Sequence, residues 1–172
     1  MDQLIKIGHI AAAHGVEGQL VLQHNLGRKT DLPGVDAFFL ETQEGRFLPY
    51  FPAEVKGRSE SESLIRVEGI TNREKALSLL KKGVWLETSL AQKLADKSAP
   101  IALLGFSVLD QGKLLGSVLE VIEQPAQILL RLDVEGKEVL APLHEGTLEG
   151  IDHKKRLIKL NLPEGLLDIY LK

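Results

Sequence analysis

The chain has 172 residues, with 21 Lys and Arg against 24 Asp and Glu for a formal net charge of −3, and it contains no cysteine. Disulfides, thiolate metal sites and cysteine nucleophiles are thereby excluded, and bulk charge does not favour non-specific binding to nucleic acid. Neither half hides a basic region, because residues 1–90 hold 11 Lys and Arg against 12 Asp and Glu, and residues 91–172 hold 10 against 12.

The first two strands are expected within residues 4–26, on either side of the turn His14-Gly15-Val16-Glu17-Gly18. Glycines at both ends of such a turn can take positive φ at no steric cost. Leu20, Leu22 and Leu26 fall on even positions, a partial period of two that Val21 and His24 interrupt. Asn25 to Gly34 is polar and turn-rich and reads as a loop. Residues 37–51 are expected to form a hairpin around Gly45, with Pro49 and Pro52 marking either a sheet edge or the end of a strand because proline cannot donate to a ladder. A strand at Glu54–Lys56, a solvated Gly-Arg-Ser-Glu-Ser-Glu-Ser loop and a strand at Leu64–Val67 follow. Thr71 and Glu74 have the spacing of a capping box, with Ala76, Leu77 and Leu80 at helical spacing and Gly83 as a stop. Val84–Glu87 closes the segment as a strand. Several short strands with one helix point to a small β-barrel over residues 1–90.

Residues 88–102 lose strand alternation and carry small and polar side chains, so 91–96 is read as a linker. The second half, 97–172, returns to strands every 8–12 residues separated by turn signals. These strands are Leu104–Leu109, Leu114–Ile122, Gln127–Val134, Glu138–Leu143 and Arg156–Leu162, with Thr147-Leu148 and Ile151–Lys154 before the last. The expected fold class is mainly β: two small antiparallel β-barrels joined by a short linker, with one helix in the first domain. Aromatic residues make up only 5%, so the cores must be aliphatic. No apolar run approaches the roughly 20 residues of a membrane helix, and no signal peptide is visible. A soluble cytoplasmic protein that makes no membrane contact is the expectation.

The order of these motifs resembles the ribosome maturation factor RimM family. The matching stretches are the His-Gly-Val-Glu-Gly turn after an apolar strand, Arg66–Ile70, Asn72–Leu77 and Leu80–Leu86. In the second half they are Leu104–Leu109, Leu115–Val121, Val139–Leu143 and the terminal Pro163-Glu164-Gly165-Leu166-Leu167-Asp168, which is similar to the end of the family's PRC-barrel domain. The chain departs from the family at Ser98–Leu103, where members commonly carry an adjacent aromatic pair and an Asp-Leu, and at Pro125–Ile128, where many have an Asp.

The resemblance implies a non-catalytic assembly chaperone without cofactor. It would bind small-subunit ribosomal protein number nineteen, and assist maturation of the small-subunit head and processing of 16S rRNA. The second barrel would bind the ribosomal protein, and the first would contact head rRNA or other factors. A monomer is expected. The rivals weighed are an enzyme acting on rRNA, for which no cofactor fingerprint or clustered acids occur, and a PRC-barrel adaptor unrelated to ribosomes, which leaves the first half unexplained.

No catalytic, cofactor or metal residue is assigned. His14 lacks an identifiable carboxylate to orient it as a general base. His144-Glu145 and Asp152-His153 lie in separate loops without metal-ligand spacing. The candidate partner contacts are His14, Gly15, Glu17 and Gly18 in the first turn, and Leu143, His144 and Glu145 in a loop of the second half. The basic run Lys154, Lys155 and Arg156, suited to phosphate, and the apolar pair Leu166 and Leu167 complete the set.

Overall fold

A computed structural model describes residues 3–171. Strands dominate, and the chain divides into two compact units between Ala99 and Pro100.

The first unit holds β1 (Leu4–His14), β2 (Gln19–His24), β3 (Phe38–Gln43), β4 (Arg46–Tyr50), β5 (Pro52–Gly57), β6 (Glu62–Val67) and β7 (Gly83–Glu87). They form one sheet in the order β4-β3-β7-β1-β2-β6-β5. Its two edges, β4 and β5, are separated by Phe51 alone, so the sheet must curl round on itself into an open barrel. The edges carry Pro49 and Pro52, where a missing N–H costs no ladder bond.

β1 explains why its own sequence does not alternate cleanly. It pairs with β2 on one side and β7 on the other, and the register slips once in each ladder, between Ile10 and Ala12 and between Lys6 and Gly8. Each bulge adds a residue and turns the strand, so Ile7 and Ile10, three apart, both reach the core. Gly8 is required there, because a Cβ would collide with the backbone of Gln23 and His24 on β2. Around these residues pack Leu20, Leu22, Leu26, Phe38, Leu40, Ile65 and Leu86, all 1% exposed or less. Each such side chain contributes about 1.5–3 kcal/mol by leaving water.

The helix expected at the end of this unit is α1 (Arg73–Leu77), but its cap is Asn72 rather than Thr71. Asn72 Oδ1 accepts the Lys75 N–H at 2.8 Å, and Glu74 sits in the first turn. The helix ends early. Turns carry the chain on to Lys82, and Lys81, with φ of 69°, makes the reversal expected of Gly83. Gly83 instead opens β7.

Residues 91–96, expected to be a linker, are folded into the first unit. Thr88–Leu94 form a second helix, α2, and Ala91, Leu94 and Ala95 are buried. Alanines leave little trace in a hydropathy pattern, yet they let a helix lie close against β1 and β7. Arg28 closes the helix end, its Nε donating to Leu94 O at 2.8 Å and its Nη2 to Lys93 O at 3.1 Å.

The second unit opens with a 3-10 helix (Pro100–Leu103), where Ile101 and Leu103 are buried. It continues with β8 (Ser107–Asp110), β9 (Lys113–Gln124), β10 (Gln127–Val134), β11 (Lys137–Leu143), β12 (Leu148–Asp152), β13 (Leu157–Leu160) and a short helix α3 (Leu166–Leu171). The order β11-β10-β9-β8-β13-β12 again places consecutive strands, β11 and β12, at opposite edges, and the sheet curls for the same reason. β13 meets β8 in parallel, because it arrives after a long crossover through four strands; the other pairs are antiparallel. Leu130, Leu132, Val139, Ala141, Ile158 and Leu160 form an aliphatic core.

Leu40→Ala would empty a fully buried site in β3 and is expected to lower stability by about 2–5 kcal/mol, measured as a fall in the denaturant midpoint at unchanged slope.

Candidate functional site

The first turn and α1, distant in sequence, are built together. His14 pairs with Gln19, leaving Gly15–Gly18 as the connection between β1 and β2. Gly15 and Gly18 both have positive φ, 72° and 83°. They differ in what surrounds them. Gly15 faces open space, whereas a Cβ on Gly18 would run into the backbone of Asn72, the residue that caps α1. Arg73 Nη1 lies 3.5 Å from Ala13 O, a long contact across the same junction. His14, Gly15 and Glu17 are exposed, and Gly18 is buried by Asn72. Gly18 is therefore a packing residue, and the accessible part of the turn is His14 to Glu17. At its tip Val16 is 83% exposed, an apolar residue held out by the glycines that flank it. Composition does not single it out, but a β-branched side chain inside a glycine-bracketed turn is a legible signal.

In the second unit the candidate residues fall at the two ends of β12. At one end, Thr147 organises the loop after β11 from a buried position. Its Oγ1 donates to Pro142 O at 2.8 Å and accepts the His144 N–H at 3.2 Å, while His144 O accepts from Thr147 and Leu148. The Gly146 N–H donates to His144 Nδ1 at 3.0 Å, which leaves the Nε2 edge of the exposed ring for a partner. Glu145 is exposed beside it. Leu143 does not belong with them. It is 9% exposed and ends β11 facing the core, since alternate residues Val139, Ala141 and Leu143 share the buried face.

At the other end of β12, Asp152 Oδ1 accepts the N–H groups of Lys154 and Lys155, each at 3.0 Å. The bond from Lys155, then that from Lys154, and the charges of Lys155 and Lys159 hold the Asp152 carboxyl below its ordinary value. This turn presents Lys154 and Lys155 to solvent. Arg156 points another way: its Nη2 donates to Leu104 O at 2.9 Å, and its guanidinium lies 5.4 Å from the centre of the Phe106 ring. His153 meets the same ring edge-on at 5.8 Å. These contacts tie the Arg156 guanidinium to the fold, although the residue remains exposed.

Leu166 and Leu167 begin α3 and are half-buried, α3 lying against β11. Leu167 also lines a shallow groove of about 220 Å³ with Asp110, Leu162 and Asp168. Ile169, one turn further on, is 75% exposed and is the apolar side chain of this helix that faces water. Among the described residues, no three or more His, Asp or Glu side chains come together in a way that could hold a metal ion.

Two family models match in chain order: the RimM N-terminal domain over residues 5–90 and the RimM PRC barrel domain over residues 100–166. The chain belongs to the RimM family. A ribosome maturation factor RimM of Oleidesulfovibrio alaskensis is 30% identical over 178 residues, covering 99% of this chain and 98% of the relative. The ribosome maturation factor RimM of Parabacteroides distasonis is 29% identical over 171 residues, covering 98% of each. A RimM crystal structure from Pseudomonas aeruginosa is 19% identical, covers 94% of this chain and 98% of that one, and superposes with a TM-score of 0.42. The stretch between the two matched models, 91–99, is the one that folds back onto the first unit of this RimM-family chain.

Gly18→Ala is expected to destabilise the chain by more than Gly15→Ala. Placing an L-residue at positive φ costs about 1–2 kcal/mol at either position, but only Gly18 adds the collision with Asn72. Thermal unfolding of the two variants side by side measures the difference.

Proposed function

We propose that this protein is a maturation factor for the small ribosomal subunit, acting in the cytoplasm by binding rather than by catalysis. The observation that carries the reading is collinearity: both domains of the family occur in order and each corresponds to its own folded unit. The full-length relatives bear the name ribosome maturation factor. The proposed partners are ribosomal protein nineteen of the small-subunit head, held by the second unit, and head rRNA, approached by the first.

Three exposed features suit such contacts. The turn His14–Glu17 offers an imidazole and an apolar tip on a rigid β-turn. Lys154 and Lys155 offer two exposed ammonium groups to phosphate on a turn that Asp152 orders through their backbone N–H groups. The third is the apolar edge of α3, with Ile169 flanked by Leu166, which fits a protein surface.

Binding energy at these places would favour one arrangement of ribosomal protein and rRNA over others. Two modules on one chain raise the effective concentration of each at its own site. The factor would leave when the mature surface no longer offers both.

Sedimentation of the tagged protein from growing cells tests this. It is expected to co-migrate with free small subunits and to be absent from complete ribosomes. Protein confined to the top of the gradient would remove the ribosomal reading. The double variant Lys154→Glu, Lys155→Glu should lose co-migration while keeping its melting temperature, since both side chains are solvated. Val16→Asp should weaken co-migration more modestly. Purified protein incubated with precursor rRNA should leave it uncut, and cleavage would favour the enzyme reading instead.

A further inference from the structure

His24 ends β2 with 5% of its surface exposed, and its ring reaches the loop that follows β2 and Ser63 on the neighbouring β6. Nδ1 accepts the Leu26 N–H at 3.2 Å, and Nε2 lies 3.5 Å from Ser63 Oγ. The Ser63 hydroxyl donates to Thr30 O at 2.8 Å, so its oxygen is left to accept, and the ring presents Nε2–H to it. The Nδ1 contact requires the neutral imidazole, whereas Nε2–H would still face Ser63 in the cation. A second proton would fall on Nδ1, face to face with the Leu26 N–H and inside an apolar surround.

Among the described residues, no carboxylate is bonded to the ring. β1 offers the backbone beside Gly8, and β6 offers Ser63. The loop after β2 carries Arg28, Lys29 and Asp31, but Asp31 Oδ1 is committed to the Gly57 N–H at 2.7 Å and Arg28 to the end of α2. Glu62, next to Ser63 on β6, pairs across to Gln23 rather than to His24. Burial pushes the His24 ring below its ordinary 6.5, with no contribution from a neighbouring charge.

The loop that His24 holds in turn holds the end of the first unit. Leu26 O accepts the Asp96 N–H at 2.8 Å. Gly27 lies against Ala99, where a Cβ would meet the alanine side chain. Arg28 binds the carbonyls of Leu94 and Lys93. We propose that His24 is an acid-sensitive latch: while neutral it seats loop 25–30 and, through that loop, residues 93–99, and protonation releases both.

The direction follows from linkage. A base with a lowered pKa in the folded state contributes its full stabilisation above the ordinary 6.5. That contribution is lost as pH falls from there toward the lower folded value, because the opened state binds a proton that the closed state does not.

Amide hydrogen exchange on the full chain, corrected for intrinsic rates, tests the latch. Between about pH 7.5 and about pH 5.5, opening at the Leu26 and Asp96 amides should rise by up to about tenfold, the factor by which a freed histidine of ordinary pKa is drawn into its cation. Amides of β3 and β7 should not follow. His24→Asn keeps an acceptor near the place of Nδ1 but cannot titrate, so its exchange should be flat over this range. Equal protection of Leu26 at both pH values in the unaltered protein, or the same rise in the variant, overturns the proposal. If the variant does not fold, the His24 ring titration followed by NMR decides. A midpoint below 6.5 supports the latch, and one at or above 6.5 sinks it.

Discussion

Everything in the first unit depends on β1 being hydrogen-bonded on both sides while bending twice. A strand without a free edge cannot relieve a misfit by sliding, so its irregularities have to be matched by both neighbours. The two register slips turn it far enough for Ile7 and Ile10 to share one core, and the close approach of β2 at Gly8 leaves no room for a side chain. From that strand follow the positions of β2 and β7, and from those the loops that α1 and α2 close over. The same strand ends at His14, so the geometry of the candidate turn is inherited from a segment whose conformation is heavily determined.

This makes the difference between the two glycines of that turn informative. Gly15 is free of neighbours and sets only the path of the chain, while Gly18 joins the turn to the cap of α1. Two motifs that stand more than fifty residues apart in sequence are halves of one contact. Their joint presence in the chain has a mechanical reason: without Asn72 the turn would lose its backing, and without Gly18 the helix could not approach.

Much of this was legible in the residues and some was not, for identifiable reasons. Strand positions followed from alternation and from turn glycines, and the edges from Pro49 and Pro52, because those signals are local. The cap of α1 was misplaced by one residue, since Thr71 and Asn72 are both able caps and only the backbone path chooses between them. Residues 91–96 looked like a linker because helix α2 buries alanines, whose contribution to hydropathy is small but whose shape is what the packing needs. Ser63 looked like part of a solvated loop and is buried on β6, where His24 and Thr30 satisfy its hydroxyl. In the candidate site, the lysines and the turn could be named from sequence, whereas the contact of the exposed Arg156 with Phe106 and the burial of Leu143 depend on partners that only folding brings near.

The prolines at the two open edges have a wider consequence. A curled sheet that does not close its last ladder leaves two rows of backbone groups unpaired, and such rows invite any extended chain to dock as another strand. Pro49 on β4 and Pro52 at the start of β5 interrupt those rows where an incoming strand would have to bond. Each proline denies an incoming strand one donor, so these open edges are poorer templates for strand addition than uninterrupted ones.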